Sequence, residues 1–248
     1  MSTSVLRRIK TVSFFLLLTT FQGCLIPRQR YPQFTTSTPI GTQDILVLGF
    51  MGGRERWDSD RSVRRLALKL KSMNLPKVSV ETVENTRRSL AMRLVRNALD
   101  RNLDGELDSS ERASAKIILY GHSFGGAAVV KFARQLNNEG IPVLLTVQVD
   151  SVGLGDSEIP SNVTSASNLF QLNGYLIRGE PLIHAADPGA TRIIENTRYD
   201  YASKRVDLTG VSWVKKAFRV AHTRMEYDPD VWSRVERLIL EAIKAEGH

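Results

Sequence analysis

The sequence has little of the residues that form cross-links or act as general bases near neutral pH. Cys24 is the single cysteine among 248 residues, so no disulfide can form within one chain. Histidine occurs four times, at positions 122, 184, 222 and 248, which limits the candidates for a catalytic base. Lysine and arginine are scattered, although the net charge is +8. We find no nucleic-acid-binding module, and the charge favours a solvated basic face over binding to acidic polymers or membranes.

Long apolar runs are also absent, and the most apolar stretch lies near the N-terminus. Residues 11–21 are apolar and follow three cations at positions 7, 8 and 10. The stretch is too short to span a bilayer comfortably and is typical of an export signal. We therefore predict that residues 1–23 direct export to the cell envelope.

Cys24 follows this stretch and resembles a bacterial lipoprotein processing site. Phe21 and Gln22 depart from that pattern, which usually has leucine and a small residue there. We predict lipidation of Cys24 and anchoring in the membrane, the alternative being a secreted or tethered protein with an incidental cysteine. Residues 24–43 contain three prolines and many Thr and Ser residues, which predicts an extended linker ahead of one domain over 44–248.

Short apolar runs alternate with amphipathic segments throughout that domain, which predicts an α/β fold. The strands are predicted at 44–50, 78–83, 117–120, 143–149, 168–173 and 192–196. The helices are predicted at 58–73, around 90–99, after residue 124, around Trp213 and Phe218, and from about residue 228. We expect the aromatic residues of the 213–218 segment to be part of the core.

One strand-to-helix junction carries the main functional signal. The predicted strand at 117–120 runs directly into Gly121-His122-Ser123-Phe124-Gly125-Gly126, and a helix follows. Small residues around a serine allow the tight, strained turn called a nucleophile elbow. The first amides of the helix point at the place where negative charge develops during acyl transfer. The alternative is a glycine-rich turn with an inert serine.

Through this motif, and less specifically through the segment 44–53, the chain resembles the α/β-hydrolase superfamily. The resemblance implies a mostly parallel sheet flanked by helices and a Ser, acid and His triad in that chain order. It also implies an oxyanion hole, and we assign the amides of Phe50 or Met51 and of Phe124 to it. It implies no particular substrate, because the fold hosts many hydrolases.

We choose the catalytic base and the catalytic acid by their positions relative to the predicted strands and helices. His222 precedes the last predicted helix, where the superfamily usually has its catalytic histidine, and His184 is the reserve candidate. Asp150 ends the predicted strand at 143–149, so its carboxylate is expected at the carboxyl edge of the sheet, near Ser123. Asp187 and Asp200 are less well placed.

A twelve-residue segment at 100–111 matches the calcium loop of EF-hands. Its first, third, fifth and seventh positions have oxygen-bearing side chains, which are Asp100, Asn102, Asp104 and Glu106. Its sixth position is Gly105 and its twelfth is Glu111, as in the calcium-binding pattern. Long flanking helices and a second loop are absent, so an empty acidic turn is the alternative. We predict a structural calcium and no cofactor for catalysis.

Two functions follow from these observations. The first is a serine hydrolase that acts on a small-molecule or acyl ester or thioester, with a lean towards short-acyl or polar esters because no long apolar insertion suggests a lid. The second is a non-catalytic envelope lipoprotein that uses the fold as a calcium-stabilised binding scaffold.

Overall fold

The computed structural model describes residues 28–53, 55–174, 177–211, 213 and 220–247. The predicted export signal, Cys24, Phe218 and His248 lie outside these residues. Among the helices in the described ranges, none is both long and apolar enough to cross a membrane.

Six parallel strands form the central sheet, in the spatial order β2-β1-β3-β4-β6-β8. Two more strands, β5 and β7, pair in a small parallel sheet. The strands are β1 Ile45–Met51, β2 Val78–Glu84, β3 Ile117–His122, β4 Val143–Val149, β5 Glu158–Ile159, β6 Val163–Phe170, β7 His184–Ala185 and β8 Arg192–Arg198. Strands β1 and β3 are buried along their whole length, which explains why they are apolar without alternation.

Helices cover both faces of the sheet. They are α1 Ser62–Ser72, α2 Arg88–Leu99, α3 Ser109–Ala113, α4 Phe124–Asn138, α5 Val220–Tyr227 and α6 Pro229–Glu246. Apolar residues of α2 and α4 pack against one face, and those of α1 and α6 pack against the other. The predicted fold class, a parallel sheet flanked by helices, is confirmed.

Some predicted elements differ from the observed ones. Strand β6 begins five residues earlier than predicted, because its first half, Val163 to Ser167, contains small polar residues that give no strand pattern although most of it is buried. Helix α3 occupies five residues that the sequence left as a connection. The expectation that Trp213 is part of the core is wrong, since its side chain is 73% exposed.

The segment at 28–43 packs against the domain and differs from the predicted extended linker. The side chain of Gln29 is fully buried, its Nε2 donates to the Thr82 carbonyl, and its Oε1 accepts from the Glu84 amide. Glu81 accepts hydrogen bonds from the amides and hydroxyls of Thr35 and Thr36. The packed unit therefore starts before residue 44, because polar side chains of β2 supply partners that composition alone did not reveal.

Candidate active site

Ser123 stands at the turn between β3 and α4. Its backbone has φ 58° and ψ −127°, a combination rare for residues with a side chain. A Cβ atom on Gly121 would lie 2.4 Å from the Gly125 carbonyl oxygen, and one on Gly125 would lie 2.0 Å from the Phe50 carbonyl oxygen. Both glycines are therefore required by close backbone contacts, as expected for a nucleophile elbow.

The structure brings Ser123, His222 and Asp150 together from three distant parts of the chain. His222 Nε2 lies 3.0 Å from Ser123 Oγ, and His222 Nδ1 lies 2.6 Å from Asp150 Oδ2. All three residues are buried, with exposed fractions of 7%, 6% and 0% for the serine, histidine and aspartate. Because a carboxylate only accepts hydrogen bonds, Nδ1 carries the proton, which leaves Nε2 as the acceptor for the serine hydroxyl.

Asp150 follows β4 and is held by residues that the sequence analysis missed. Its own backbone has φ 44°. Gln171, the first residue after β6, donates from its amide to Oδ1 at 3.3 Å and from Nε2 to Oδ2 at 3.0 Å. Gly179 closes over the carboxylate, since a Cβ atom there would lie 2.3 Å from Oδ1. The predicted strand extends to residue 173, whereas β6 ends at Phe170, so the sequence does not mark Gln171 as a residue at a strand end.

A second imidazole stacks on the His222 ring. The ring centroids of His122 and His222 are 4.7 Å apart with an interplanar angle of 25°, and Trp232 approaches His122 edge-on at 6.5 Å. Since both histidines are buried, this stack restricts the orientation of His222. The sequence analysis assigns no role to His122.

A further polar network fixes the helices around His222. The histidine lies within α5, ahead of the last helix as predicted, and Asp228 caps α6 directly after α5. Asp228 accepts from the Tyr201 hydroxyl at 2.7 Å and pairs with Lys204 at 2.6 Å. Burial, together with the hydrogen bond to Asp228, raises the pKa of Tyr201, so this phenol stays protonated and donates. Arg224 of α5 donates to the Tyr201 carbonyl.

The predicted oxyanion-hole residues lie next to the serine. Phe50 and Met51 end β1, and their carbonyl oxygens lie against Gly125 in the first turn of α4. Phe124 is the first residue of α4, where an amide has no acceptor within its own helix. Asn85 holds the end of β1 by donating to the Met51 carbonyl at 3.0 Å. The amide of Phe124 therefore faces the edge of the sheet where Ser123 lies, and the helix dipole adds positive potential there.

The reserve candidates have other partners. His184 is exposed, and its Nε2 lies 3.8 Å from Glu158 in the small sheet. Asp187 accepts from the Gly189 amide, and Asp200 accepts from Asn173 and from the Ala202 amide. The contacts to Gly189 and Ala202 are turn contacts, and none of the contacts of these three residues involves Ser123.

The side chains of the acidic segment at 100–111 form hydrogen bonds with backbone amides of the same segment. Asp100, Asn102 and Asp104 accept hydrogen bonds from the amides of Gly105, Asp104 and Glu106, in that order. Glu111 Oε1 accepts from the amides of residues 101 and 102, and its Oε2 accepts from Asp108 in a capping box at the start of α3.

These bonds involve Asp100 Oδ2 and Asn102 Oδ1, whereas Asp100 Oδ1 is buried and has no hydrogen-bond partner in the part of the chain that the structure describes. Over the described ranges, no group of three or more His, Cys, Asp or Glu side chains is arranged to hold a metal ion. Both alternatives, a structural calcium and an empty acidic turn, remain for the 100–111 segment.

Comparisons with known proteins give distant structural likenesses. No family model matches the chain, and no curated protein matches its sequence. A dienelactone hydrolase from Anabaena variabilis ATCC 29413 is 14% identical at a TM-score of 0.38, covering 82% of this chain and 86% of its own. A cutinase-like protein from Cryptococcus sp. is 13% identical at a TM-score of 0.44, covering 81% and 95%. The RedJ thioesterase of Streptomyces coelicolor is 12% identical at 0.42, covering 88% and 98%.

Proposed function

We propose that the protein is a serine hydrolase that cleaves an ester or thioester through an acyl-enzyme on Ser123. The observation that supports this most is the contact chain from Asp150 through His222 to Ser123, at 2.6 Å and 3.0 Å. A hydrogen-bonded series of acid, imidazole and serine at a strained turn is the arrangement that activates a hydroxyl for attack on a carbonyl.

The reaction follows from these contacts. Ser123 Oγ attacks the carbonyl carbon while its proton moves to His222 Nε2, and Asp150 stabilises the resulting imidazolium. The bond to the leaving oxygen or sulfur then breaks, and the leaving group takes the proton from Nε2. A water molecule next gives its proton to Nε2 and attacks the acyl carbon. The Oγ bond breaks, the acid is released, and Ser123 regains its proton.

The developing oxyanion would be bound by the amide of Phe124 together with an amide of Phe50 or Met51. Removal of one such donor in other hydrolases costs about 10²- to 10³-fold in rate. Phe124 is 52% exposed beside a serine that is 7% exposed, so its ring would contact the acyl or leaving group of a bound substrate. We propose a small-molecule or acyl ester as substrate, with a lean towards short-acyl or polar esters.

We also propose export to the cell envelope and lipidation of Cys24. The basis is the sequence: three cations, the apolar stretch at 11–21 and a cysteine directly after glycine. Mass spectrometry of the protein isolated from its membranes tests this, because a lipid on an N-terminal Cys24 gives a defined mass. An unmodified Cys24 would contradict the anchor.

Labelling by a fluorophosphonate probe tests the enzyme. We expect the wild-type protein to be labelled on Ser123, Ser123→Ala to be unlabelled, and His222→Ala to react at least about 10³-fold more slowly. His184→Ala is the matched control, because that histidine is exposed and contacts Glu158, and it should react like the wild type.

A folded wild-type protein that the probe does not label would contradict the proposal. That result would instead support the non-catalytic binding scaffold. Circular dichroism of each variant separates loss of reactivity from loss of folding.

A further inference from the structure

Five arginines cluster where the first described residues, from position 28, pack beside the outer strand β2 and the start of α2. Arg87 Nη2 donates to the Gln29 carbonyl at 3.0 Å, and Arg93 lies over the Tyr31 ring at 4.7 Å. The arginine face, as we name it, consists of Arg28, Arg30, Arg87, Arg88 and Arg93. The contacts through Gln29 and Tyr31 bring these side chains to one surface.

The arginine face carries uncompensated charge. No ion pair found among the described residues includes any of its five arginines, whereas most of the pairs formed by Arg and Lys lie elsewhere on the molecule. The nearby carboxylates of Glu81 and Glu84 are buried and accept hydrogen bonds from the segment at 28–36. Arg28, Arg30 and Arg93 are exposed, whereas Arg87 and Arg88 are partly buried and donate to the backbone carbonyls of Gln29 and Asn85. With only two buried carboxylates beside them, these cations make a positive surface.

This surface lies on the same edge of the sheet as Ser123. Arg87 and Arg88 follow the carboxyl end of β2, and only β1 separates β2 from β3, which leads into Ser123. Neighbouring strands are about 4.8 Å apart, so the two strand ends are about 10 Å apart across the sheet.

Exposed apolar side chains lie on the other side of Ser123. Phe124 is 52% exposed and Leu154 is 90% exposed. The loop that carries Leu154 rests on the first turn of α4, since a Cβ atom on Gly153 would lie 2.4 Å from the Cβ of Ala127. Cations beside exposed apolar side chains are typical of a surface that meets a membrane interface.

The chain ahead of the arginine face identifies the partner. Gln29 is fixed to β2, Cys24 is five residues earlier and the apolar stretch ends at Phe21, eight residues earlier. An extended chain spans at most about 3.6 Å per residue, so these points lie within about 18 Å and 29 Å of Gln29. Either one, inserted in a membrane, brings the arginine face to the lipid headgroups.

We propose that the arginine face docks the domain on a membrane surface of anionic phospholipids, with the Ser123 edge turned towards the lipid. This goes beyond the proposed catalysis, since docking requires no catalysis, and it rests on the proposed anchoring of the chain ahead of Gln29. It revises the expectation that the basic charge is only solvated. The anchor alone keeps the domain close to the membrane, whereas the arginines determine which surface of the domain faces the lipid.

Vesicle binding by the full chain tests the proposal. We expect tighter binding to phosphatidylcholine vesicles with one third phosphatidylglycerol than to phosphatidylcholine alone, and a decrease of that preference with salt. The triple variant Arg87→Gln, Arg88→Gln, Arg93→Gln should lose about 100-fold in apparent affinity for the anionic vesicles.

A matched triple variant removes the same charge elsewhere. Arg192, Arg237 and Lys244, replaced by Gln, are exposed and lie on β8 and α6. This variant should lose no more than about fivefold, because its charges do not face the membrane. Equal losses in the two triple variants, or no preference of the wild type for anionic vesicles, would overturn the proposal.

Binding to soluble dextran sulfate separates a membrane from a polyanion. If the arginine-face variant loses dextran sulfate binding but keeps vesicle binding, the surface serves a soluble polyanion and the proposal is wrong. Labelling of Ser123 by the fluorophosphonate probe in detergent is expected to be unchanged in both triple variants. Failure of docking and failure of the hydrolase proposal are therefore distinguishable.

Discussion

The elbow around Ser123 and the acidic segment at 100–111 differ in where their side chains find partners. At the elbow, Ser123 contacts His222, which lies 99 residues away, and His222 contacts Asp150, which lies 72 residues away. In the acidic segment, Asp100, Asn102 and Asp104 bond to amides at most five residues away. A sequence motif can act chemically when the fold brings side chains from distant parts of the chain into contact with it. The number of positions that match the motif does not show whether this happens.

The substitution Asp150→Asn tests the long-range contacts at the elbow, and we expect it to have the largest effect on activity. Loss of the carboxylate leaves the His222 ring without its orienting partner and favours the wrong tautomer. We expect kcat/KM for a soluble ester to fall by about 10⁴-fold with little loss of folded protein. Asp200→Asn, which changes the weaker acid candidate, serves as the control and should react at nearly the wild-type rate. Equal rates for the two variants would show that Asp150 is not the acid.

The substitutions Gly125→Ala and Gly105→Ala compare the stability cost of a side chain at one glycine from each region. A Cβ atom on Gly125 would lie 2.0 Å from the Phe50 carbonyl oxygen, so we expect a loss of more than about 4 kcal/mol in the free energy of unfolding, or no folded protein. Gly105 has φ 88° and no atom within 4 Å of such a Cβ, so only the backbone strain of about 1 kcal/mol applies. Urea denaturation measures both, and similar costs would contradict the proposed packing of the elbow.

Calcium should have the smallest effect. Glu111 would have to release the amides of residues 101, 102 and 108 before it could bind an ion with both oxygens. We therefore expect the melting temperature to change by less than about 1 °C between millimolar calcium and excess chelator, since even 1 kcal/mol moves it by about 2–4 °C in a domain of this size. A larger increase with calcium that Glu111→Gln abolishes would establish the calcium loop.

Much of the fold could be predicted because its central strands are apolar along their length. Strand β4 coincides with the predicted 143–149, β1 is displaced by one residue at both ends, and β2 extends one residue further than predicted. Strand β6 begins earlier than the predicted residue 168, since Ser165 and Ser167 belong to it and their place in the sheet depends on neighbours that no local pattern shows.

The site was predictable where chemistry and chain position restrict the choice. Few histidines and one serine at a strand-to-helix turn left little choice, and the fold brings the chosen residues into contact. Gln171 and the stacking of His122 on His222 could not be predicted, because each depends on the three-dimensional path of a loop or helix. The same holds for the packed segment at 28–43, whose partners lie about fifty residues away in β2.

The contacts of Gln29 have a consequence for the solubility of the molecule. Strand β2 is an outer strand of the sheet, and a bare outer strand offers free amides and carbonyls to other chains. The amide group of one side chain imitates a neighbouring strand there, by accepting from Glu84 and donating to Thr82. Gln29 thus satisfies one amide and one carbonyl of this border, and a chain shortened beyond it would leave both groups open to pairing with other chains.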